Sequence, residues 1–291
     1  MTTLTRFPAT VTTLTRFPAG EHASEDRAMT YRWISLTTDY GLSDGFVAEC
    51  HGVIARLAPD ARVIDITHDV PPGDVARGAA VLAQTVPALP PAVHIAVVDP
   101  GVGTARRAVA METGAGSVLV GPDNGLLPPA AAALGGVVRA FHLTNPDWFE
   151  PVVSATFHGR DVFAPVAARI AFGLDVMLAG PPIDDFVLPP APLLAVGDRW
   201  LEAEVLTVDR FGNVQLAATG PALIPMGHRL RVGGRPAVRS ATFADAPHGG
   251  LVVYVDSAGY VAIAVNGGRA AAALSVSPGD VLRVENERPR R

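Results

Sequence analysis

A carboxylate and a guanidinium follow one buried strand of the chain at a spacing that lets them meet. Residues 93–98 form an apolar run that predicts a strand buried inside a parallel sheet. Asp99 and Pro100 end that strand, and the glycines that follow allow a turn that returns Arg106 toward Asp99. Because open α/β sheets bind ligands at the carboxyl ends of their strands, this pair is a candidate for chemistry. The alternative is an ordinary ion pair that closes a turn.

Further polar side chains follow other predicted strands in the first half of the chain. They are Asp39, Asp44, Asp123, Asn124 and His158. Each has a structural alternative, since Asp44 could cap a helix and Asp123 with Asn124 could form a turn. Their repeated placement at strand ends favours one site assembled from several loops.

The spacing of apolar residues predicts the elements that position these side chains. From residue 33 to residue 172, strand patterns alternate with helical patterns, which is typical of a mainly parallel sheet with helices on both faces. We expect strands at residues 33–37, 62–66, 93–98, 107–112, 117–120 and 137–143. We expect helices after caps at Asp44 and Asp74, the second ending near residue 84, and a third over residues 161–172.

The composition changes after a proline-rich connector at residues 188–192. Short β segments beyond it predict a small all-β barrel or sandwich. They are expected at residues 201–209, 213–217, 229–232, 241–243, 251–255, 260–265 and 281–284. We therefore expect an N-terminal α/β domain over residues 29–188 and a C-terminal β-barrel domain over residues 189–291. Residues 1–28 contain the segment TTLTRFPA twice and are expected to be a disordered tail.

Composition excludes several classes of function. A net charge of -5 argues against a nucleic-acid surface, and 6% aromatic residues argue against stacking platforms for single strands. No apolar run approaches the roughly 20 residues of a membrane helix, so we expect no membrane partner. A single cysteine excludes an internal disulfide and any multi-cysteine metal site. We expect a soluble, cytoplasmic protein that acts on a small molecule.

Five motifs occur in the order TTDYG, VIDITH, VVDPGVGT, VGPDNGLL and TFHGRDVFAP. With them the chain resembles the adenosine-forming S-adenosylmethionine hydrolases, also called S-adenosylmethionine hydroxide adenosyltransferases, which are relatives of fluorinase and chlorinase. The similarity continues through DRFGN, TFAD and SAGY and covers residues 33–284. It implies an α/β domain joined to a C-terminal β-barrel. It also implies a homotrimer with active sites between the N-terminal domain of one subunit and the C-terminal domain of its neighbour.

The resemblance implies that water attacks the ribose C5′ of S-adenosylmethionine and gives adenosine and methionine. The sulfonium leaves as a neutral thioether, so the site must mainly orient and polarise one water. The family's Asp–Arg–His triad matches Asp99, Arg106 and His158 of this sequence. Either Asp99 or His158 could accept hydrogen bonds from the water. The resemblance implies no metal, and no cofactor besides the substrate.

The resemblance also implies a set of substrate-binding residues. Asp39 would bind the ribose hydroxyls and Asn213 the adenine, whereas Asp209 and Ser257 would bind the methionine ammonium and carboxylate. The full set is Asp39, Phe157, Asp209, Phe211, Asn213, Phe243, Ser257 and Gly267.

Some of these matches have an alternative or depart from the halogenase pattern. Phe211 and Phe243 would line the adenine pocket but could equally belong to the barrel core. Fluorinase has basic residues where this chain has Ala258 and Val265, and a tryptophan where it has Gly73. Recognition of the methionine carboxylate would therefore depend here on Ser257 and backbone donors.

Two positions separate hydrolysis from halide transfer. Halogenating relatives carry Tyr where this chain has Asp99, and fluorinase carries Ser where it has Gly159. A carboxylate beside the nucleophile would repel a halide but not water, which favours hydrolysis. A chlorinase-like halide transferase and a non-catalytic sensor of adenosine or S-adenosylmethionine remain as alternatives. A dinucleotide dehydrogenase is disfavoured because the G-x-G-x-x-G fingerprint is missing.

Overall fold

The structure is a computed structural model that describes residues 31–287. The expected disordered tail, residues 1–28, lies outside the described residues. Within residues 31–287, no helix has the length and apolar character needed to cross a membrane.

The first half of the chain builds one seven-stranded sheet. Its strands are Trp33–Thr38 (β1), Arg62–Thr67 (β2), Val93–Val97 (β3), Ala108–Thr113 (β4), Val118–Pro122 (β5), Val137–His142 (β6) and Pro182–Ile183 (β7). Their order is β2-β1-β3-β5-β4-β6-β7. The first four are parallel neighbours, and the last three join them antiparallel. Loops that follow β1, β3 and β5 therefore meet at one edge of the sheet.

Alternate side chains of the central strand β3 point into two different cores, because the side-chain period of a strand is two. The helices on the two faces of the sheet are Phe46–Leu57 (α1), Val75–Thr85 (α2), Pro128–Ala133 (α3) and Ala164–Ala171 (α4). Val93, Ile95 and Val97 pack into the core under α1 and α4. Ala96 and Val98, the residue after the strand, pack into the core under α2 and α3 on the opposite face. The expected α/β layer is confirmed.

The second half forms a closed barrel of seven strands with an eighth strand paired on its rim. The strands are Leu194–Gly197 (β8), Trp200–Val208 (β9), Val214–Thr219 (β10), Arg229–Val232 (β11), Arg235–Arg239 (β12), Leu251–Val255 (β13), Tyr260–Val265 (β14) and Val281–Asn286 (β15). The ring runs β10-β14-β13-β12-β11-β15-β9 and closes through the β9–β10 pairing. Closure removes the exposed sheet edges, and the expected all-β barrel is confirmed.

One expected strand of the barrel region is wrong, and other elements of that region were not predicted. Residues 241–243 do not form a strand, and a short 3-10 turn at Phe243–Asp245 lies there instead. The strands β8 and β12 were not predicted, and β12 contains Pro236, a residue that withholds a ladder hydrogen bond and is typical of strand ends and edges. A five-residue helix, Ala270–Leu274 (α5), also follows β14.

The expected helix caps have different outcomes. Asp74 caps α2 as expected, because its side chain accepts a hydrogen bond from Arg77 N at 2.9 Å. Asp44 is not the cap of α1, since Gly45 occupies that position without a side-chain hydrogen bond. The third expected helix begins as a π-helical turn over Gly159–Phe163 before it continues as α4.

The helix α2 connects the sheet to the barrel through a chain of side-chain hydrogen bonds. Gln84 Nε2 donates to Gln215 Oε1 at 2.7 Å. Gln215 Nε2 donates in turn to Asp256 Oδ2 at 2.6 Å. The face of α2 that carries Gln84 therefore lies against the barrel, and a cavity opens between them.

Candidate active site

Arg106 joins two functional side chains at the end of β3. Its Nε donates to Asp99 Oδ1 at 3.0 Å and to Oδ2 at 2.9 Å, and its Nη2 donates to Oδ2 as well. The same Nη2 lies 2.8 Å from His158 Nδ1. The Asp99 side chain is 5% exposed and that of Arg106 is 10% exposed, so water screens their interaction weakly. The structure thus brings the three residues of the expected triad together.

The turn that returns Arg106 to Asp99 depends on the glycine at position 103. Gly103 has a φ of +77°, which is the left-handed region that glycine adopts without strain. A Cβ at this position would lie 2.4 Å from the carbonyl oxygen of Ala155. The loop can therefore pack directly against the segment that leads to His158, and this close approach assembles the triad.

The contact with Arg106 fixes the tautomer of His158. A guanidinium can only donate, so His158 Nδ1 must accept and the ring proton resides on Nε2. Burial and the nearby Arg106 charge lower the pKa of His158 below its ordinary value. The imidazole is therefore neutral at pH 7, and its remaining polar atom is a donor.

Asp99 and His158 open onto a cavity of about 220 Å³, called here the smaller cavity. Its lining residues are Asp39, Tyr40, Gly73, Val97, Asp99, Pro100, Val102, Thr156, His158 and Gly159. Asp39 Oδ2 accepts a hydrogen bond from Gly73 N at 2.8 Å, which fixes this carboxylate at the end of β1. The expected ribose ligand and two members of the triad therefore face one space.

The wall of the smaller cavity has no room for a side chain at position 159. A Cβ on Gly159 would lie 2.1 Å from Tyr40 Oη. Tyr40 packs against the rings of Phe46 and Phe157, at centroid distances of 6.0 and 5.6 Å, and its contact with Phe157 is edge-on. Burial raises the pKa of Tyr40, so its phenol stays protonated.

We expect Gly159→Ser, which introduces the fluorinase residue, to destabilise the fold by about 1–3 kcal/mol because the site is overpacked. Thermal unfolding of the variant measures this loss. Tyr40→Phe/Gly159→Ser should recover part of the Tm, since it removes the nearest clashing atom. An unchanged Tm in Gly159→Ser would contradict the overlap.

A larger cavity of about 680 Å³ lies between α2 and the barrel. Its lining residues are Arg77, Val81, Gln84, Thr85, Thr207, Asp209, Asn213, Val214, Gln215, Ala241, Thr242, Phe243, Tyr254, Val255, Asp256, Ser257, Ala258 and Ala262. Asn213 Nδ2 donates to Asp209 Oδ2 at 2.8 Å, which leaves the Asn213 carbonyl oxygen free to accept. Four expected substrate-binding residues, Asp209, Asn213, Phe243 and Ser257, therefore share this cavity.

Three other expected substrate-binding residues line neither cavity. Phe157 is buried in the core of the sheet and contacts Tyr40. Phe211 is 74% exposed, and Gly267 lies against His248 with a φ of +75°. The barrel-core alternative for Phe211 is wrong, and it is also wrong for Phe243, which is 47% exposed.

The two cavities have no lining residue in common within one chain. The residues expected to bind ribose and activate water line the smaller one. The residues expected to bind adenine and methionine line the larger one. A single chain therefore presents two separate halves of the expected site.

Sequence reasoning missed Arg77, which lines the larger cavity, as do Ser257 and Ala258. The sequence feature that could have identified Arg77 is its position as a cation in the first turn of α2, three residues after the Asp74 cap. A positive charge there opposes the helix dipole, so its presence points to a role outside the helix.

Comparison with known proteins gives the same assignment for both halves of the chain. The family model of the SAM hydroxide adenosyltransferase N-terminal domain matches residues 34–180. The model of the C-terminal domain of that family matches residues 203–283.

Individual relatives agree with the family models. A Salinispora arenicola protein named (R)-S-adenosyl-L-methionine hydrolase is 68% identical over 87% of this chain and 97% of its own. A fluorinase from Nocardia brasiliensis is 28% identical over 87% of this chain and 96% of its own. The crystal structure of an uncharacterized conserved protein from Thermotoga maritima superposes with a TM-score of 0.82 at 37% identity, covering 87% of this chain and all of that one. On these matches, the chain belongs to the SAM hydroxide adenosyltransferase family.

Proposed function

We propose that the protein hydrolyses S-adenosyl-L-methionine to adenosine and L-methionine, and that its substrate is the (R) sulfonium epimer. The observation that carries the proposal is the Asp99–Arg106–His158 cluster beside a cavity that also contains Asp39. The name of the 68% identical relative supports the reaction and the epimer.

In the proposed mechanism, one water lies between Asp99 and the ribose C5′ in line with the C–S bond. Because His158 Nδ1 is already engaged by Arg106, Asp99 is the member of the triad that accepts the proton. The new O–C5′ bond forms as the C5′–S bond breaks, and the electron pair of that bond leaves on methionine sulfur. His158 contributes an Nε2 donor that orients the water. A positioned base of this kind accelerates such a step by about 10²–10⁴-fold.

The charge of Asp99 favours water over a halide in this position. Two negative charges ~4 Å apart repel by ~4 kcal/mol at an effective dielectric constant of ~20. Asp99 occupies the wall of the smaller cavity and is itself buried, so a chloride ion there would meet this repulsion. Water carries no net charge and can donate to the same oxygen.

An isotope experiment tests the proposed reaction. Each sulfonium epimer is incubated separately with the enzyme in ¹⁸O-water, and adenosine is analysed by mass spectrometry. We expect label on the 5′-hydroxyl and faster turnover of the (R) epimer. Unlabelled adenosine would refute attack at C5′. A 5′-chloro product formed with added chloride would support a halide transferase, and binding without turnover would support a sensor.

We infer that the working enzyme is a homotrimer in which each active site combines two subunits. The inference is supported by the separation of the expected site residues into two cavities of one chain. A head-to-tail contact that closes a ring would place the smaller cavity of one subunit against the larger cavity of the next. Adenosine would then be bound from both sides.

Mixing of two inactive variants tests the shared site. In trimers co-expressed from Asp99→Asn and Asn213→Ala chains, about a quarter of the sites should have both halves intact if subunits mix at random. We expect activity in this mixture and almost none in either variant alone. A mixture as inactive as its components would place each site within one chain.

We further propose that Arg77 binds the methionine carboxylate, in place of the arginine that fluorinase has where this chain has Ala258. Both residues line the larger cavity with Ser257, and a guanidinium can bind a carboxylate with two parallel hydrogen bonds. The charge of Arg77 and the hydroxyl of Ser257 together suit this group.

Arg77→Met is expected to raise the KM for S-adenosylmethionine by about 10–100-fold, because a charge-assisted hydrogen bond is lost. The KM for decarboxylated S-adenosylmethionine, which has no carboxylate, should change little. Arg56→Met is a matched control, since Arg56 lies on α1, pairs with Glu150 and lines neither cavity. Equal losses with both substrates would contradict carboxylate recognition.

The proposed reaction needs no resident metal or redox cofactor, because the sulfonium is already an activated leaving group. We also propose that the protein is cytoplasmic, where the free thiol of the buried Cys50 would stay reduced.

A further inference from the structure

Three potential metal ligands converge on the side of the sheet where α1 meets the end of β2. His51 comes from α1, Asp65 from β2, and His68 from the turn directly after β2. One ligand atom of each lies within 4.8 Å of the other two, and no other such group of three occurs in residues 31–287. None of the three lines the smaller or the larger cavity.

One oxygen of Asp65 lies between the two imidazoles. His51 Nε2 is 2.9 Å from Asp65 Oδ1, and His68 Nε2 is 3.1 Å from the same oxygen. Ligand atoms of a tetrahedral zinc site lie about 3.3 Å apart, since zinc–nitrogen and zinc–oxygen bonds are about 2.0–2.2 Å. The observed separations are within a few tenths of an ångström of that value.

His68 provides a second and independent observation. Its side chain is 3% exposed, and its Nε2 is buried without a hydrogen-bond partner among the described residues. Asp65 Oδ1 is near this nitrogen but does not meet it in hydrogen-bond geometry. Buried polar atoms nearly always have a hydrogen-bond partner or a ligand. A metal ion bound by both His68 Nε2 and the Asp65 carboxylate would give this nitrogen one.

The other nitrogen of His68 is oriented as it would be in a metal ligand. His68 Nδ1 lies 2.8 Å from Thr38 Oγ1, and the hydroxyl oxygen can accept from it. A proton on Nδ1 leaves the lone pair of Nε2 free for a metal. Metal-bound histidines almost always use their second nitrogen in such a contact, which fixes the ring.

We propose that His51, Asp65 and His68 bind one divalent transition-metal ion, with zinc as the expected occupant. Two imidazoles and one carboxylate are a donor set that zinc uses, and the half-exposed His51 and Asp65 leave a fourth position open to water. The VIDITH segment, which has no role in the proposed hydrolysis, supplies two of these ligands.

The site is linked to the ribose-binding loop rather than to the reacting atoms. Thr38, which holds His68, directly precedes Asp39, and the backbone oxygen of His68 accepts from Gly41 N at 2.8 Å. A metal that ties α1 to β2 through His68 would therefore brace both sides of Asp39. Its expected effect is on stability, and the hydrolytic step does not pass through it.

A metal titration tests the proposal independently of the hydrolase activity. Full-length protein is treated with a chelator, dialysed and titrated with ZnCl₂ by calorimetry, and then with CoCl₂ while visible absorption is recorded. We expect one equivalent of zinc per chain, a rise in Tm of about 5 °C, and cobalt d–d bands of a site with nitrogen ligands.

Matched variants distinguish this site from weak binding at surface histidines. His51→Gln, which changes a half-exposed side chain, and Asp65→Asn should each weaken zinc binding at least tenfold and abolish the cobalt bands. His228→Gln, which removes an exposed histidine of the barrel, should change neither. Binding that is unaffected by His51→Gln, or no binding at micromolar zinc, would overturn the proposal and leave a hydrogen-bonded cluster only.

Discussion

Asp99→Asn is expected to lower kcat about 10²–10⁴-fold and to leave substrate binding nearly unchanged. The amide has the shape of the carboxylate, and its oxygen can still accept a hydrogen bond from Arg106. The amide of the variant, however, cannot take a proton from water at neutral pH. Since Arg106 donates to His158 Nδ1, the imidazole cannot replace it as the base. Single-turnover kinetics measure the chemical step, and calorimetry with substrate measures binding.

Asp123→Asn is the matched control for this substitution. Asp123 is also a buried carboxylate paired with an arginine at a strand end, since its side chain is 3% exposed and contacts Arg107 at 2.7 Å. It lines neither cavity. Its asparagine variant should lose stability but keep its kcat. If Asp99→Asn retained activity within tenfold of the starting protein, Asp99 would not be the base.

The Asp99–Arg106 pair was predictable from local signals in the sequence, whereas His158 was matched to the triad only through the family resemblance. Asp99 and Arg106 are seven residues apart, and the glycines between them permit a tight turn that brings the two side chains together. The buried strand before them has both faces covered, so its apolar run is unbroken and easily recognised. The start of α2 was likewise predictable from Asp74, because a helix cap bonds to the backbone of the turn directly after it.

Other features depend on contacts that sequence patterns do not encode. The strand β12 contains Pro236 and forms only because β11 and β13 pair with its two edges. Phe211 and Phe243 are of a residue type common in barrel cores, but both side chains are exposed, so neither packs into the core of this barrel. In such cases tertiary packing overrides the local preference.

The separation of the expected site residues into two cavities also could not be predicted from the periodicity of apolar residues. The spacing of apolar residues predicts which elements form, but not which faces of two folded units look toward each other. His51 and His68 illustrate the same limit, since they are brought together only when α1 packs beside the end of β2. Motif order predicts the reaction, whereas the separation of the two cavities supports the proposal that subunits share the site.

Arg106→Met is expected to destabilise the protein by about 3–5 kcal/mol, which is the usual cost of removing one partner of a buried ion pair. The Asp99 carboxyl would stay in a place where its side chain is 5% exposed and would lose every hydrogen bond from the guanidinium. With a slope of about 2–4 °C per kcal/mol for a protein of roughly this size, the Tm should fall by about 10 °C. Activity should fall with it, because His158 also loses its donor.

The double variant Asp99→Asn/Arg106→Met separates charge from packing in this prediction. A neutral amide needs no cationic partner, so the double variant should be more stable than Arg106→Met alone while remaining inactive. Arg106→Lys should not restore activity, because an ammonium cannot reproduce the planar fork that reaches Asp99 and His158 together. Thermal unfolding and turnover of the three variants complete the test. A double variant no more stable than Arg106→Met would mean that the guanidinium acts through packing, for instance on the Phe163 ring 5.3 Å away, and not through the charge of Asp99.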